Sequence, residues 1–125
     1  MKLTVDAPRS ANMIRAYTPA GFRIGQRDCA GSVIVSADAL IENWRPRDIA
    51  ELEIPDLEAA LALEPEVLLI GSGARQVFPR RELLAALHAS KVGFEIMNTG
   101  AACRTYNVML AEGRAVVAAL LPDRP

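Results

Sequence analysis

Histidine occurs once in this chain, at position 88, and cysteine twice, at positions 29 and 103. That scarcity argues against a metal centre, because one imidazole and two distant thiols give no ligand cluster with usable spacing. It also rules out a disulfide framework, and nothing in the cysteine pattern calls for an oxidising compartment. Aromatic residues make up only 5% of the chain, too few for platforms on which bases stack. An excess of either charge is missing too. Fourteen Lys and Arg stand against fifteen Asp and Glu, so no positive field attracts nucleic acid or an anionic membrane surface. The longest unbroken apolar run, Ala115 to Leu121, falls far short of a membrane span. Residues Met1 to Pro8 hold neither the apolar stretch of a secretory signal nor an Arg-rich amphipathic leader. The expectation is a cytoplasmic protein with no stable membrane insertion, no nucleic acid partner and no cofactor.

What is present is the composition of an ordinary globular domain. In 125 residues, 51% are hydrophobic and 23% charged, enough to bury a substantial core. No repeat, low-complexity segment or polar linker divides the chain, which predicts one domain over 1–125 with a core from about 12 to 121. The first eight residues and the tail from Pro122 to Pro125 are expected to fray.

The first third reads as β structure. Met13 to Tyr17 and Phe22 to Gly25 flank a Pro- and Gly-containing turn and form a hairpin. The β-branched run from Gly31 to Ser36 is a third strand buried on both faces. Asp38 to Trp44 fits either a short strand or a turn, anchored by Trp44.

Helix and strand alternate in the remainder. Ile54-Pro55-Asp56 opens a helix with Leu57, Ala60 and Leu61 inward, and Glu64-Pro65 stops it. Val67 to Ile70 is a buried strand ending at Gly71-Ser72-Gly73. Pro79 opens a second helix with Leu83, Leu84 and Leu87 inward, and Val92 to Met97 is the next strand. Thr99 is the expected N-cap of a third helix, Gly113 the left-handed residue after its end, and Ala115 to Leu121 the last strand. Helical connections between strands favour parallel pairing.

Candidate chemistry concentrates in two places. On the third helix, Ala102, Tyr106, Met109 and Leu110 share one face, flanked by Cys103 and Asn107. Arg104 and Val108 lie opposite, and Val108 predicts that the outer face is covered as well. Near a helix N-terminus and beside Arg104, Cys103 has the placement of a thiolate nucleophile. It lacks a base, however, because His88 sits on the second helix at the solvent edge; a small buried packing role is favoured. Asn107 needs partners wherever it is buried, and a structural tie is favoured over a ligand contact. The second place is Gly71-Ser72-Gly73, which has the strand–loop–helix context of phosphate binding. Glu95, in the following strand, falls near where a dinucleotide fold places its ribose-binding acid. Position 76 is Gln rather than a third glycine, though, and the helix starts late, so nucleotide binding is not expected. Arg80-Arg81 reads as a solvated helix start, with anion binding the alternative.

Three stretches together resemble a known family: Pro65 to Gly73, the run Met97-Asn98-Thr99-Gly100-Ala101-Ala102-Cys103-Arg104-Thr105-Tyr106-Asn107, and Glu112-Gly113-Arg114 before an apolar strand. The family is a small uncharacterised α/β group named for a methanogen protein, and it includes a mitochondrial assembly factor of respiratory complex I. The resemblance extends from about Ile14 to Leu121. It implies a compact three-layer β+α/β/α domain with a central mixed sheet and an N-terminal hairpin region. It carries over no catalytic activity. Where the family often places an acid before the threonine, this chain has Asn98, so a carboxylate-dependent role at that position does not transfer.

Two functional readings follow. The first, which rests on the resemblance, is a non-enzymatic domain that binds other proteins and helps assemble a respiratory complex. The second is a small-molecule binding protein or enzyme. Its pocket would lie at the strand C-termini and be built from Gly71, Ser72, Gly73, Thr99, Cys103, Arg104 and Asn107, without a metal. Neither reading sets the oligomeric state.

Overall fold

The structure, a computed structural model, describes residues 9–125. The expected fraying and the missing leader signals of the first eight residues lie outside them. A 3₁₀ turn at Arg9–Asn12 leads into β1 (Ile14–Thr18), β2 (Gly21–Ile24) and β3 (Arg27–Ala30), an antiparallel three-stranded sheet in that order. β4 (Ser32–Val35) and β5 (Leu40–Trp44) follow, then a 3₁₀ turn at Ile49–Glu51 and helix α1 (Ile54–Leu61). β6 (Val67–Gly71), α2 (Arg81–Ala89), β7 (Gly93–Met97), α3 (Thr99–Ala111) and β8 (Val116–Leu120) complete the chain.

The central sheet has the order β5-β4-β8-β6-β7. It is mixed: β6 runs parallel to β7 and β8, whereas β4 is antiparallel to β8 and β5. Strand alternation divides two cores. Leu68, Ile70, Val117 and Ala119 face α1 and α2, together with Trp44, Leu83 and Leu87. Leu69, Val116, Ala118 and Leu120 face α3 and the three-stranded sheet, together with Ile14, Phe22 and Tyr106. The protein is therefore the expected three-layer α/β structure with a mixed central sheet, the three-stranded sheet sharing one outer layer with α3.

Several local expectations need correction. β3 was not anticipated: in Arg27-Asp28-Cys29-Ala30 only Cys29 is buried, and the strand exists because its backbone pairs with β2. Asp38 to Trp44 resolves into a tight turn, closed by Ser36 N–H to Ala39 C=O at 2.9 Å, followed by β5. α1 ends at Leu61, before Glu64, which takes a left-handed conformation at φ 57°. Leu61 and Leu84 sit half-buried at the rims of their helices. α2 begins at Arg81, not Pro79. The tail is docked rather than frayed: Leu121 N–H donates to Gly71 C=O at 3.0 Å, and Ala74 N–H to Arg124 C=O at 2.9 Å. Val108 is 58% exposed, so the outer face of α3 is open.

Two polar ties hold the α1 side together. Trp44 Nε1 donates to Asp56 C=O at 3.2 Å, and the Arg45 guanidinium grips the Asp56 carboxylate at 3.1 and 2.7 Å. Asp56 also accepts the Glu53 N–H and closes a capping box. Burial alone would raise the Asp56 carboxyl, but the bonds from Arg45 and Glu53 outweigh it and hold it below its ordinary value. On α2, Arg80 is not merely solvated: it donates to Leu52 C=O at 3.1 Å and to the Glu53 carboxylate at 3.2 Å.

A depressed carboxyl stabilises the fold above its unfolded pKa, and that stabilisation is lost as pH falls through the folded value. Asp56→Asn is therefore expected to cost about 1–2 kcal/mol at neutral pH. Urea midpoints of the variant and the parent should converge as the pH drops below the ordinary carboxyl range, and a pH-independent gap would refute the ionised tie.

Candidate functional site

The carboxyl ends of β6, β7 and β8 meet at one buried side chain. Thr99 is fully buried; its hydroxyl donates to Leu121 C=O at 2.7 Å and accepts the Gly73 N–H at 2.8 Å, while its own N–H donates to Gly73 C=O at 2.8 Å. It is therefore not the helix cap. That role falls to Asn98, whose side chain accepts the Ala101 N–H at 2.8 Å. Both residue types suit a cap, but the Thr99 hydroxyl is taken by tertiary partners and the cap moves one residue back.

The glycine loop serves this junction. A Cβ on Gly71 would stand 3.1 Å from Thr99 Cα and 2.9 Å from a Leu120 methyl, so only glycine lets β6 approach α3 this closely. Gly73 sits at φ 110°. Ser72 Oγ donates to Arg75 C=O at 2.6 Å and accepts the Val77 N–H at 3.0 Å, folding the loop on itself. The Gly73 amide that would reach a phosphate is thus already occupied.

The remaining candidates face the three-stranded sheet. Cys103 is 2% exposed, and its thiol is pushed up to about 12, chiefly by burial, with the Arg104 charge opposing and Asp123 adding to the rise. Arg104 donates to the Tyr17 hydroxyl at 3.2 Å. Asn107 is half-buried and binds both backbone groups of Ile14: it accepts the N–H at 2.9 Å and donates to the C=O at 2.8 Å. Tyr106 reaches Asn12 C=O at 3.0 Å. Thus Gly71, Ser72, Gly73 and Thr99 come together, whereas Cys103, Arg104 and Asn107 belong to the contact between α3 and β1.

Sequence reasoning missed Asn98, Tyr17 and Asn12; only Asn98, an amide just before a helical run, carried a readable signal. It also missed a cavity of about 360 Å³ at the strand ends, beside Ser72 and Gly73, lined by Arg47, Arg75, Arg124 and Leu121. No group of three or more His, Cys, Asp or Glu among the described residues is placed to hold a metal ion. None of the described helices is long and apolar enough to cross a membrane.

Fold and polar run together define a small three-layer α/β domain of the Mth938-like type. A Bordetella pertussis solution structure described as an Mth938-like domain superposes with a TM-score of 0.80 at 32% identity, over 99% of this chain and 94% of that one. Residues 14–121 match the family described as "Protein of unknown function (DUF498/DUF598)", and the chain belongs to it. A zebrafish relative, NADH dehydrogenase [ubiquinone] 1 alpha subcomplex assembly factor 3, is 31% identical over 90% of this chain; the chain spans 66% of that relative's length. A Francisella tularensis relative named 13 kDa major membrane protein is 26% identical over 93% of this chain and 95% of its own length.

Two outcomes are expected. Thr99→Val leaves the Gly73 amide and the Leu121 carbonyl buried without a partner, at a cost of about 1–3 kcal/mol for each. Thr99→Ser should lose less, and an unchanged urea midpoint in the valine variant would remove the junction from the account. Cys103 should react with thiol reagents only through unfolding. Because its folded pKa is raised, the unfolded chain loses its proton first as pH climbs above the ordinary thiol value of 9.0, so stability should fall between there and about 12. Native-state labelling at neutral pH as fast as a free thiol contradicts this.

Proposed function

We propose that this chain is a protein-binding domain without catalysis of its own, which helps assemble a respiratory complex of the complex I type. It acts as one domain over residues 1–125 in the cytoplasm, with other proteins as its partners. The observation that carries the reading is the match, over most of the chain, to a relative named as a complex I assembly factor. The geometry supports it in two ways. The polar residues that drew attention as possible chemistry are engaged in tying strands and helix together. The large apolar side chains Val77 and Phe78, by contrast, are 42% and 61% exposed on one loop, as surfaces that meet other proteins require.

A second reading, a small-molecule site at the strand C-termini, draws on the arginine-lined cavity beside Gly73. Its positive charge comes from Arg47, Arg75 and Arg124 on the loops after β5, β6 and β8, with Asp48 beside them, while the Ser72, Gly73, Ala74 and Val77 amides bond within the protein.

Deleting the gene in its native host should lower the amount of assembled NADH dehydrogenase complex on native gels, together with NADH oxidation by membranes. The intact chain supplied in trans should restore both, and capture on it should enrich subunits of that complex. A deletion strain with normal assembled complex overturns the reading.

A further inference from the structure

Among the described residues, the central sheet ends at β7, which pairs only with β6. Ser72 N–H donates to Met97 C=O at 2.9 Å, so the Met97 main chain faces β6. In a parallel strand the direction alternates residue by residue, which turns the main chains of Phe94 and Ile96 outward. Gln76 confirms the geometry: its side-chain amide donates to Ile96 C=O at 2.8 Å from outside the sheet. The Phe94 N–H and C=O and the Ile96 N–H have no partner among the described residues. The opposite edge differs, since Arg27 of β3 bridges Glu42 of β5 at 3.0 Å.

Beside this open edge runs a groove of about 600 Å³ lined by Phe78, Leu84, His88, Phe94 and Ile96. It lies on the α2 face of β7. On the other face Glu95 is exposed and has no ion-pair partner among the described residues. An extended chain laid along β7 would therefore meet apolar surface with one set of alternate residues and a carboxylate with the other. A second copy of this chain is a poor occupant, because antiparallel pairing of two β7 strands about Glu95 sets like charges opposite each other.

We propose that the free edge of β7 is a strand-addition site, on which an extended segment of a partner protein with alternating apolar and basic residues continues the central sheet. Main-chain bonds to Phe94 and Ile96 supply the affinity; the Phe78 groove and Glu95 supply the selection. Gln76 occupies one acceptor of the edge and so restrains unselective pairing. The inference rests on the protein-binding reading and names the chemistry of the partner.

The test uses the intact, isotopically labelled chain and a blocked peptide of alternating Val and Lys. Saturable amide shifts are expected along β7, the Gln76–Phe78 loop and α2, with half-saturation below about 1 mM. Hydrogen exchange at Phe94 and Ile96 should slow at least about tenfold under saturation. A peptide N-methylated on alternate residues should bind at least about tenfold more weakly, since it cannot complete the ladder. Gln76→Ala should strengthen binding by freeing the Ile96 carbonyl, and Glu95→Lys should shift preference to a Val-Glu peptide. Equal binding of the N-methylated peptide, or no saturable response at β7, overturns the proposal. In cells, full complex assembly by a chain carrying both Glu95→Lys and Phe78→Asp defeats the edge site alone. A deletion with no assembly defect defeats the functional reading instead, and the peptide titration still decides the edge.

Discussion

One hydroxyl holds the carboxyl end of the sheet together. Thr99 links the loop after β6 to the end of β8 from the first turn of the helix that follows β7. Three strand ends that approach each other from distant parts of the chain are thereby fixed by a side chain without solvent access. In such surroundings each bond is worth most through what its loss would leave exposed: a buried amide and a buried carbonyl with no partner. Gly71 makes the arrangement sterically possible, because any side chain there would push Thr99 away from the sheet. The loop that resembles a phosphate cradle is therefore a packing device. Its amide points at a protein hydroxyl, in the place where a nucleotide-binding loop would offer it to a ligand.

The same logic accounts for the rest of the polar run. Asn107 mimics a neighbouring strand by binding both backbone groups of Ile14, and Tyr106 extends that contact to Asn12. Gly100 keeps its surface clear for Tyr17, whose hydroxyl would stand 2.7 Å from a Cβ at that position and accepts a bond from Arg104. These contacts are what fasten the N-terminal three-stranded sheet to α3. Cys103 fills space between them, with its thiol far from ionisation at neutral pH. A segment that looks like the makings of an active site is thus the seam between two parts of the fold.

Legibility followed the strength of local signals. β6, β7 and β8 announced themselves as apolar runs, and α1, α2 and α3 as periodic stripes, because each buries its pattern against a sheet or beneath a helix. β3 was invisible because its polar sequence obeys pairing with β2 rather than burial. The cap of α3 was misplaced by one residue because Asn98 and Thr99 are chemically equivalent candidates until a tertiary partner claims one hydroxyl. The docked tail was misread for a related reason: Pro122 to Pro125 carry no strand pattern, and backbone contacts with the glycine loop hold them. In the candidate site, the sequence groups residues that the fold separates: Gly71, Ser72, Gly73 and Thr99 meet at the strand ends, whereas Cys103, Arg104 and Asn107 do not join them. Cys103 and Asn107 sit one helical turn or more beyond Thr99, and that rise carries them past the strand ends to face β1.

If the seam uses up the polar residues of the interior, recognition has to fall on what the fold leaves open. The two edges of the central sheet are not equivalent in this respect. β5 lies alongside β3 and is bridged to it by charge, whereas β7 pairs on only one side among the described residues. An open edge beside exposed apolar side chains invites indiscriminate pairing, and proteins commonly blunt such edges with polar or charged groups. Here the shield is partial: Gln76 covers one carbonyl and Glu95 marks one face with negative charge. A complete shield would silence the edge, and no shield would leave it free to aggregate. A partial one leaves room for a strand of complementary charge while disfavouring strands of like charge.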